Sequence, residues 1–172
     1  MIKRLETLLN IVHYCLYKLD YKLHLLSNKI NPFLLLGTIP ALKRKFEEQG
    51  TTLKAVVNKI WGDKRSGFAI MISGGGFVTI VLMVVWPVFL MLNNLLKQPI
   101  TFILLPFAIC CGLSYLISHF TVFQKDKYIL YFKQFDKWPY TQKLKYAIIS
   151  LAFIVGTIIL FIYSFKLLPT QN

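Results

Sequence analysis

Along the first thirty residues, apolar side chains return at alternating steps of three and four. Ile2, Leu5, Leu9, Val12, Leu16, Leu19, Leu23, Leu26 and Ile30 therefore fall on one stripe of a helix. Leu8 and Cys15 widen the stripe, while Lys3, Glu6, Asn10, Lys18, Asp20, Lys22 and Lys29 lie away from its centre. The pattern predicts an amphipathic helix of about seven turns, with Tyr14, Tyr17 and Tyr21 flanking its charged side. Asn31-Pro32 ends it, because the residue before a proline is pushed out of the α region. The apolar stretch Phe33 to Ile39, closed by Pro40, is too short to cross a bilayer; it lies in the interface or packs under the first helix. A charged helix from Ala41 to Gln49 stops at Gly50. Thr51 or Thr52 then caps a third helix carrying Leu53, Val56, Val57, Ile60 and Trp61, with Gly62 as its stop.

Beyond this point the periodicity gives way to continuous hydrocarbon. No ionisable side chain occurs from Phe68 to Leu92, and a hydrocarbon core of about 30 Å needs only about 20 helical residues, so residues 68–92 form a first span. Ser73-Gly74-Gly75-Gly76 and Pro87 are two places where it can loosen or kink. A short connection through Asn93-Asn94 and Lys97-Gln98-Pro99 forces an antiparallel second span at about 100–119, which contains Pro106. The third span, about 147–165, ends at Lys166, whose long stem can snorkel to the interface. The predicted fold is an all-α integral membrane protein. Residues 1–66 form a basic helical region, cytoplasmic or interfacial, with an amphipathic helix at its start. Residues 67–172 form a bundle of three transmembrane helices with a cytoplasmic loop at 123–146.

Composition strengthens the membrane reading: 56% of residues are hydrophobic and the mean hydropathy is +0.57, above the roughly 45–50% apolar share of soluble domains. A net charge of +13 would by itself suggest nucleic acid. Its placement points elsewhere. Twelve Lys and Arg precede the first span and six lie between spans two and three, against Lys97 alone in the hairpin and Lys166 alone in the tail. The positive-inside rule then puts the N-terminus in the cytoplasm and the C-terminus outside. Lysine in excess of arginine suits a bacterial inner membrane. Ile2-Lys3-Arg4 opens no signal peptide, since Glu6, Asn10 and His13 interrupt the apolar run that a leader requires, so the first span directs insertion.

Candidate chemistry is sparse. Each span carries small residues four apart that let helix backbones approach: Gly75 with Thr79, Ala108 with Gly112, and Ala152 with Gly156. These predict an intrachain packing seam, ahead of an oligomer interface. Ser150, Thr157 and Ser164 form a polar row at spacing seven on another face of span three, suited to a second helix or a second copy. The Gly74–Gly76 run lacks the Gly-Lys-Ser/Thr ending of a phosphate loop and reads as a tight helix contact. His119, at the cytoplasmic end of span two, has no acidic partner within the spans for a proton relay and reads as interfacial or structural. Cys110 and Cys111 point to different faces, and His13, Cys15 and His24 lack zinc spacing, so no metal is expected. No catalytic constellation, cofactor motif or small-molecule substrate is evident.

The loop from Lys125 to Lys145 interleaves cations with Tyr128, Tyr131, Phe132, Phe135, Trp138 and Tyr140. Such alternation can stack on single-stranded nucleic acid. Beside two spans it reads instead as anchoring in the headgroup zone, and no nucleic-acid partner is expected. The expected function is non-enzymatic: a small membrane scaffold or accessory subunit of a membrane complex. It would dock a partner, or lie on anionic headgroups, through Leu5, Leu9, Val12, Leu16, Leu19, Leu23 and Leu26. Expected partners are membrane lipids and either another protein or further copies of the chain. The alternative is an oligomeric, holin-like or small transport pore.

Overall fold

A computed structural model describes residues 2–96 and 103–167, and every regular element in that range is helical. The seven α-helices are α1 (Ile2–Ser27), α2 (Pro40–Glu48), α3 (Leu53–Gly62), α4 (Phe68–Leu95), α5 (Leu104–Ser118), α6 (Lys127–Phe135) and α7 (Tyr140–Ser164). Three runs are long and apolar enough to cross a membrane: Phe68–Leu95, Leu104–Phe135 and Tyr140–Leu167. The hairpin lysine Lys97 and the expected start of span two at Ile100 lie outside the described residues.

Local capping follows the chemistry read from the sequence. Asn31 caps a 3-10 turn, Pro32–Thr38, by accepting the Phe33 N–H at 3.0 Å. Gly50 adopts φ +66° just after α2, a left-handed conformation in which glycine escapes the Cβ clash. Thr52 Oγ1 accepts the Ala55 N–H at 3.2 Å and starts α3. α4 runs unbroken through Ser73-Gly74-Gly75-Gly76 and Pro87, so neither place opens a turn. Pro106 sits in the first turn of α5, where a missing N–H leaves no helical bond unmade.

Contacts divide the chain into two compact units, residues 1–15 with 75–172, and residues 16–74. The division expected after residue 66 follows a change of composition, whereas the compact units follow packing. In the first unit an aromatic core gathers His13 and Tyr14 of α1, Phe77 of α4, Phe123, and Tyr128, Phe132 and Phe135 of α6. Tyr128, Phe132 and Phe135 are thereby buried. Their expected place among lipid headgroups is corrected: they are core residues, whereas Leu130 and Tyr140 stay exposed. A second core centres on Trp86, Leu90 and Cys110, flanked by Phe89 and Phe161.

Between α5 and α6 the chain passes through a π-helical turn, His119–Phe123, and then two consecutive left-handed residues, Lys125 (φ 55°) and Asp126 (φ 54°). Neither is glycine, so each conformation costs on the order of 1–2 kcal/mol. Lys127 fastens the turn by donating to the Phe120 carbonyl at 3.2 Å and pairing with Glu6 of α1 at 3.4 Å.

The buried small residues of the apolar helices are mainly hydroxyls. Ser114 and Ser118 on α5, and Ser150, Thr157 and Ser164 on α7, all face inward. Ser114 and Ser118 each donate at 2.7 Å to the carbonyl four residues earlier, and Thr157 and Ser164 to the carbonyl three residues earlier at 2.7 and 2.6 Å. A hydroxyl satisfied by its own helix leaves a small, neutral surface against which a neighbour packs closely. Gly75, Thr79, Ala108, Gly112, Ala152 and Gly156 all face outward, and a Cβ built on Gly75, Gly112 or Gly156 meets nothing within 4 Å. The intrachain seam expected at these pairs is therefore replaced by the hydroxyl rows. Ser114→Leu should overpack the first unit and lower stability by about 1–3 kcal/mol, whereas Gly112→Leu and Gly156→Leu should leave it unchanged. Thermal unfolding in mild detergent checks both.

Candidate functional site

α1 carries two stripes, and the buried one is polar. Asn10, His13, Tyr14, Tyr17, His24 and Asn28 recur at steps of three and four on the side roughly opposite the leucines, and all are buried. In the first unit, Asn10 Nδ2 donates to the Glu6 carbonyl at 2.8 Å and the Thr121 carbonyl at 3.1 Å. Tyr14 donates to Asp136 Oδ1 at 2.9 Å. Glu6 receives both Lys127 Nζ at 3.4 Å and the Tyr131 hydroxyl at 3.2 Å. A polar group taken out of water has to find partners, so these bonds fix which side of α1 meets α6 and the end of α5.

The pairing is incomplete: the Oδ1 atoms of Asn10 and Asn28 are buried without a partner, and His13 has none at all. His13 is fully buried, its ring lies 5.3–5.7 Å from those of Phe77, Phe123, Tyr128 and Phe132, and neither ring nitrogen has a hydrogen-bond partner. Desolvation lowers its pKa from 6.5 to about 3, so it is neutral at physiological pH. Nearby on the same helix, burial raises the Cys15 thiol pKa, only partly offset by a hydrogen bond with the Ser150 side chain, and the thiol stays protonated.

The second unit uses the continuation of the same stripe. Tyr17 donates to the Gly62 carbonyl at 2.7 Å, and Trp61 Nε1 donates to Asp20 Oδ2 at 3.0 Å. His24 stacks on Trp61 with centroids 4.2 Å apart and rings 6° from parallel. Asn28 Nδ2 donates to Asn58 Oδ1 at 2.7 Å, and His24 Nε2 lies 3.2 Å from the same oxygen. The ring of Tyr21 lies so close to Gly62 that a Cβ there would come within 2.7 Å of it. These contacts lock α1 to α3 through groups with definite hydrogen-bonding directions, which fixes register more tightly than leucines would.

The predicted docking residues divide accordingly. Val12 is buried, and Leu9 and Leu16 are half-buried. Leu5, Leu19, Leu23 and Leu26 are 55%, 51%, 55% and 57% exposed. Leu8 adds to this outward row, and Phe33, Leu35 and Leu36 of the 3-10 turn are also exposed. His119 is half-buried, stacked on Tyr115 at 6.1 Å. Among the described residues, no three His, Cys, Asp or Glu side chains gather as a metal would require. Sequence reasoning missed the buried stripe, although its signal was present as His, Asn and Tyr at helical spacing.

The fold and this helix define the class: an all-helical protein with three helices long and apolar enough to cross a membrane, and an amino-terminal helix whose polar stripe is buried. No protein-family model, curated protein or solved structure matches the chain.

Because the folded pKa of His13 lies below its unfolded value, its contribution to stability is complete above pH 6.5 and declines as pH falls towards 3. Between pH 7 and pH 5 the loss should be about 2 kcal/mol. Amide protection factors over residues 2–15, corrected for the pH dependence of intrinsic exchange, should fall over that interval, and His13→Phe should remove most of the change.

Proposed function

We propose that this protein is a non-enzymatic membrane scaffold or accessory subunit that docks a protein partner through the exposed leucine row of α1. The observation that carries the reading is the orientation of that helix. Its hydrogen-bonding side is occupied within the chain, while Leu5, Leu19, Leu23 and Leu26 remain uncovered. Exposed apolar rows of this length mark interaction sites, and an amphipathic helix offering leucines at spacings of three, four and seven suits a helix partner. Lys18, Lys22 and Lys29 occur in the same part of the sequence and suit a position beside anionic headgroups. The lysine asymmetry supports a cytoplasmic N-terminus and an external C-terminus, and the composition supports a bacterial inner membrane.

A photo-crosslinker introduced at Leu23 in intact cells should join the protein to one other polypeptide. Leu19→Asp should reduce that product at least tenfold, with the helicity of the purified protein unchanged. Crosslinks to lipid alone would reject the docking reading.

The outward placement of Gly75, Gly112 and Gly156 supports a second reading, an oligomeric pore assembled through these faces. Induced expression would then admit a membrane-impermeant dye, and Gly112→Leu or Gly156→Leu would abolish entry. A scaffold leaves dye excluded in all three proteins.

A further inference from the structure

The segment that follows α1 hardly packs on its own chain. In the 3-10 turn Pro32–Thr38 and in α2 no residue is buried, and only Leu34, Gly37 and Phe46 are even half-covered. Ile30, Phe33, Leu35, Leu36 and Ile39 are 85%, 74%, 66%, 45% and 43% exposed. Large apolar side chains so closely spaced in sequence are not scattered surface exposure; a patch of this kind marks a binding face. The turn also pairs many of its own polar groups. The Phe33 N–H donates to Asn31 Oδ1 at 3.0 Å and the Leu34 N–H to the Asn31 carbonyl at 3.2 Å. The Ile39 N–H donates to the Leu36 carbonyl at 3.2 Å, and the Thr38 hydroxyl to the Leu35 carbonyl at 2.6 Å. Groups paired in this way need no water, so the turn can meet hydrocarbon at little cost.

Charge and attachment identify what covers the patch. No acidic residue occurs from Lys29 to Phe46, and the apolar residues lie between Lys29 on one side and Lys43, Arg44 and Lys45 on the other. Lys43 pairs with Glu47 at 3.7 Å and Arg44 with Glu48 at 3.9 Å, but all four side chains are more than half exposed, so these pairs are weak and leave the cations open to other anions. An apolar tip collared by cations matches an anionic leaflet, with hydrocarbon beneath phosphate. A partner helix would call for a regular heptad stripe, which a 3-10 turn bounded by Pro32 and Pro40 does not offer. The turn is also held near the start of the first apolar helix. A Cβ on Gly37 would come within 3.2 Å of the Leu53 side chain, so the turn packs on the start of α3. Trp61 lies eight positions further on, roughly 12 Å along α3, and its ring centroid is 5.3 Å from that of Phe68, the first residue of α4. Gly37, Leu53, Trp61 and Phe68 belong to one compact unit.

We propose that the turn Pro32–Thr38, with Ile30 and Ile39 at its edges, inserts into the anionic leaflet that α4 enters at Phe68. Its apolar side chains reach the acyl boundary, and Lys29, Lys43, Arg44 and Lys45 meet the phosphates. The assignment requires that α4 crosses a bilayer; it does not depend on what the leucine row of α1 docks.

The full-length protein, with Cys15, Cys110 and Cys111 replaced by alanine, carries a single nitroxide at Leu35→Cys, Gln49→Cys or Ile159→Cys. Each is reconstituted without any other protein into bilayers of phosphatidylcholine containing phosphatidylglycerol, or of phosphatidylcholine alone. Collisions of the label with oxygen and with a water-soluble nickel chelate are recorded. The label at Ile159, an exposed position on α7, should meet oxygen and not nickel, as the bilayer requirement demands. In the phosphatidylglycerol bilayers the label at Leu35 should do the same, roughly 5–10 Å into the interface, while the label at Gln49 meets nickel. Phosphatidylcholine alone, added salt, or the triple variant Lys43→Gln, Arg44→Gln, Lys45→Gln should each lower the inserted fraction about threefold to tenfold. A Leu35 label open to nickel in the anionic bilayers would overturn the proposal. So would a Leu35 label closed to both reagents, which reports contact with protein, a second copy included, or an inserted fraction indifferent to lipid charge and salt. An Ile159 label open to nickel would remove the bilayer requirement and the proposal with it, whereas none of the Leu35 results alters the crosslink expected at Leu23.

Discussion

The structure depends on how α1 disposes of its polar groups. A helix in water hides its leucines and leaves asparagine, histidine and tyrosine outside. Here Asn10, His13, Tyr14, Tyr17, His24 and Asn28 are inside, and most of the leucines are not. Leucine is at home in lipid or against an apolar partner, whereas an unpaired amide or hydroxyl in such surroundings costs several kcal/mol. For a helix whose outer face meets lipid or an apolar partner, the side that most needs the protein interior is the one bearing hydrogen-bonding groups. The Asn10, Tyr14, Tyr17 and Asn28 contacts supply much of the pairing that this side requires, although the Oδ1 atoms of Asn10 and Asn28 and the His13 ring stay unpaired.

The same constraint explains the interior of the apolar helices. Hydrophobic side chains gain little by leaving lipid for one another, so the inward faces carry serine and threonine: Ser114, Ser118, Thr157 and Ser164 are bonded to their own backbone, and Ser150 to the Cys15 thiol. The larger inward groups are aromatic rings, and they collect in two places, around His13 and around Trp86. Both clusters hold a polar atom without a partner. For His13 the consequence is a ring that resists protonation; for Trp86 it is a donor beside an apolar cleft.

Much of the helical framework was legible in the sequence because it rests on local rules. Asn31, Gly50 and Thr52 cap or stop elements as their side chains dictate, and the uncharged runs have the length a bilayer requires. Orientation about the helix axis was much less legible. Apolar periodicity identifies the outer surface of α1 equally well whether that surface meets core, partner or lipid, and the expectation that small pairs such as Ala108 and Gly112 pack internally overlooked the hydroxyl rows. The aromatic loop was misplaced for a related reason: Tyr128, Phe132 and Phe135 share one face of α6, a spacing that suits a protein core as well as a headgroup layer. Little in the sequence announces the left-handed pair Lys125 and Asp126: aspartate visits that conformation more often than most residues, but lysine does not, and no glycine marks the turn.

The most direct test is a nitroxide scan of residues 5–28 in the membrane-embedded protein, recording label mobility and oxygen accessibility at each position. Both quantities should oscillate with a helical period and reach their minima at Asn10, His13, Tyr17, His24 and Asn28. Minima at Leu5, Leu19, Leu23 and Leu26, with the tyrosine and histidine positions mobile, would show that α1 faces the other way and would contradict the account.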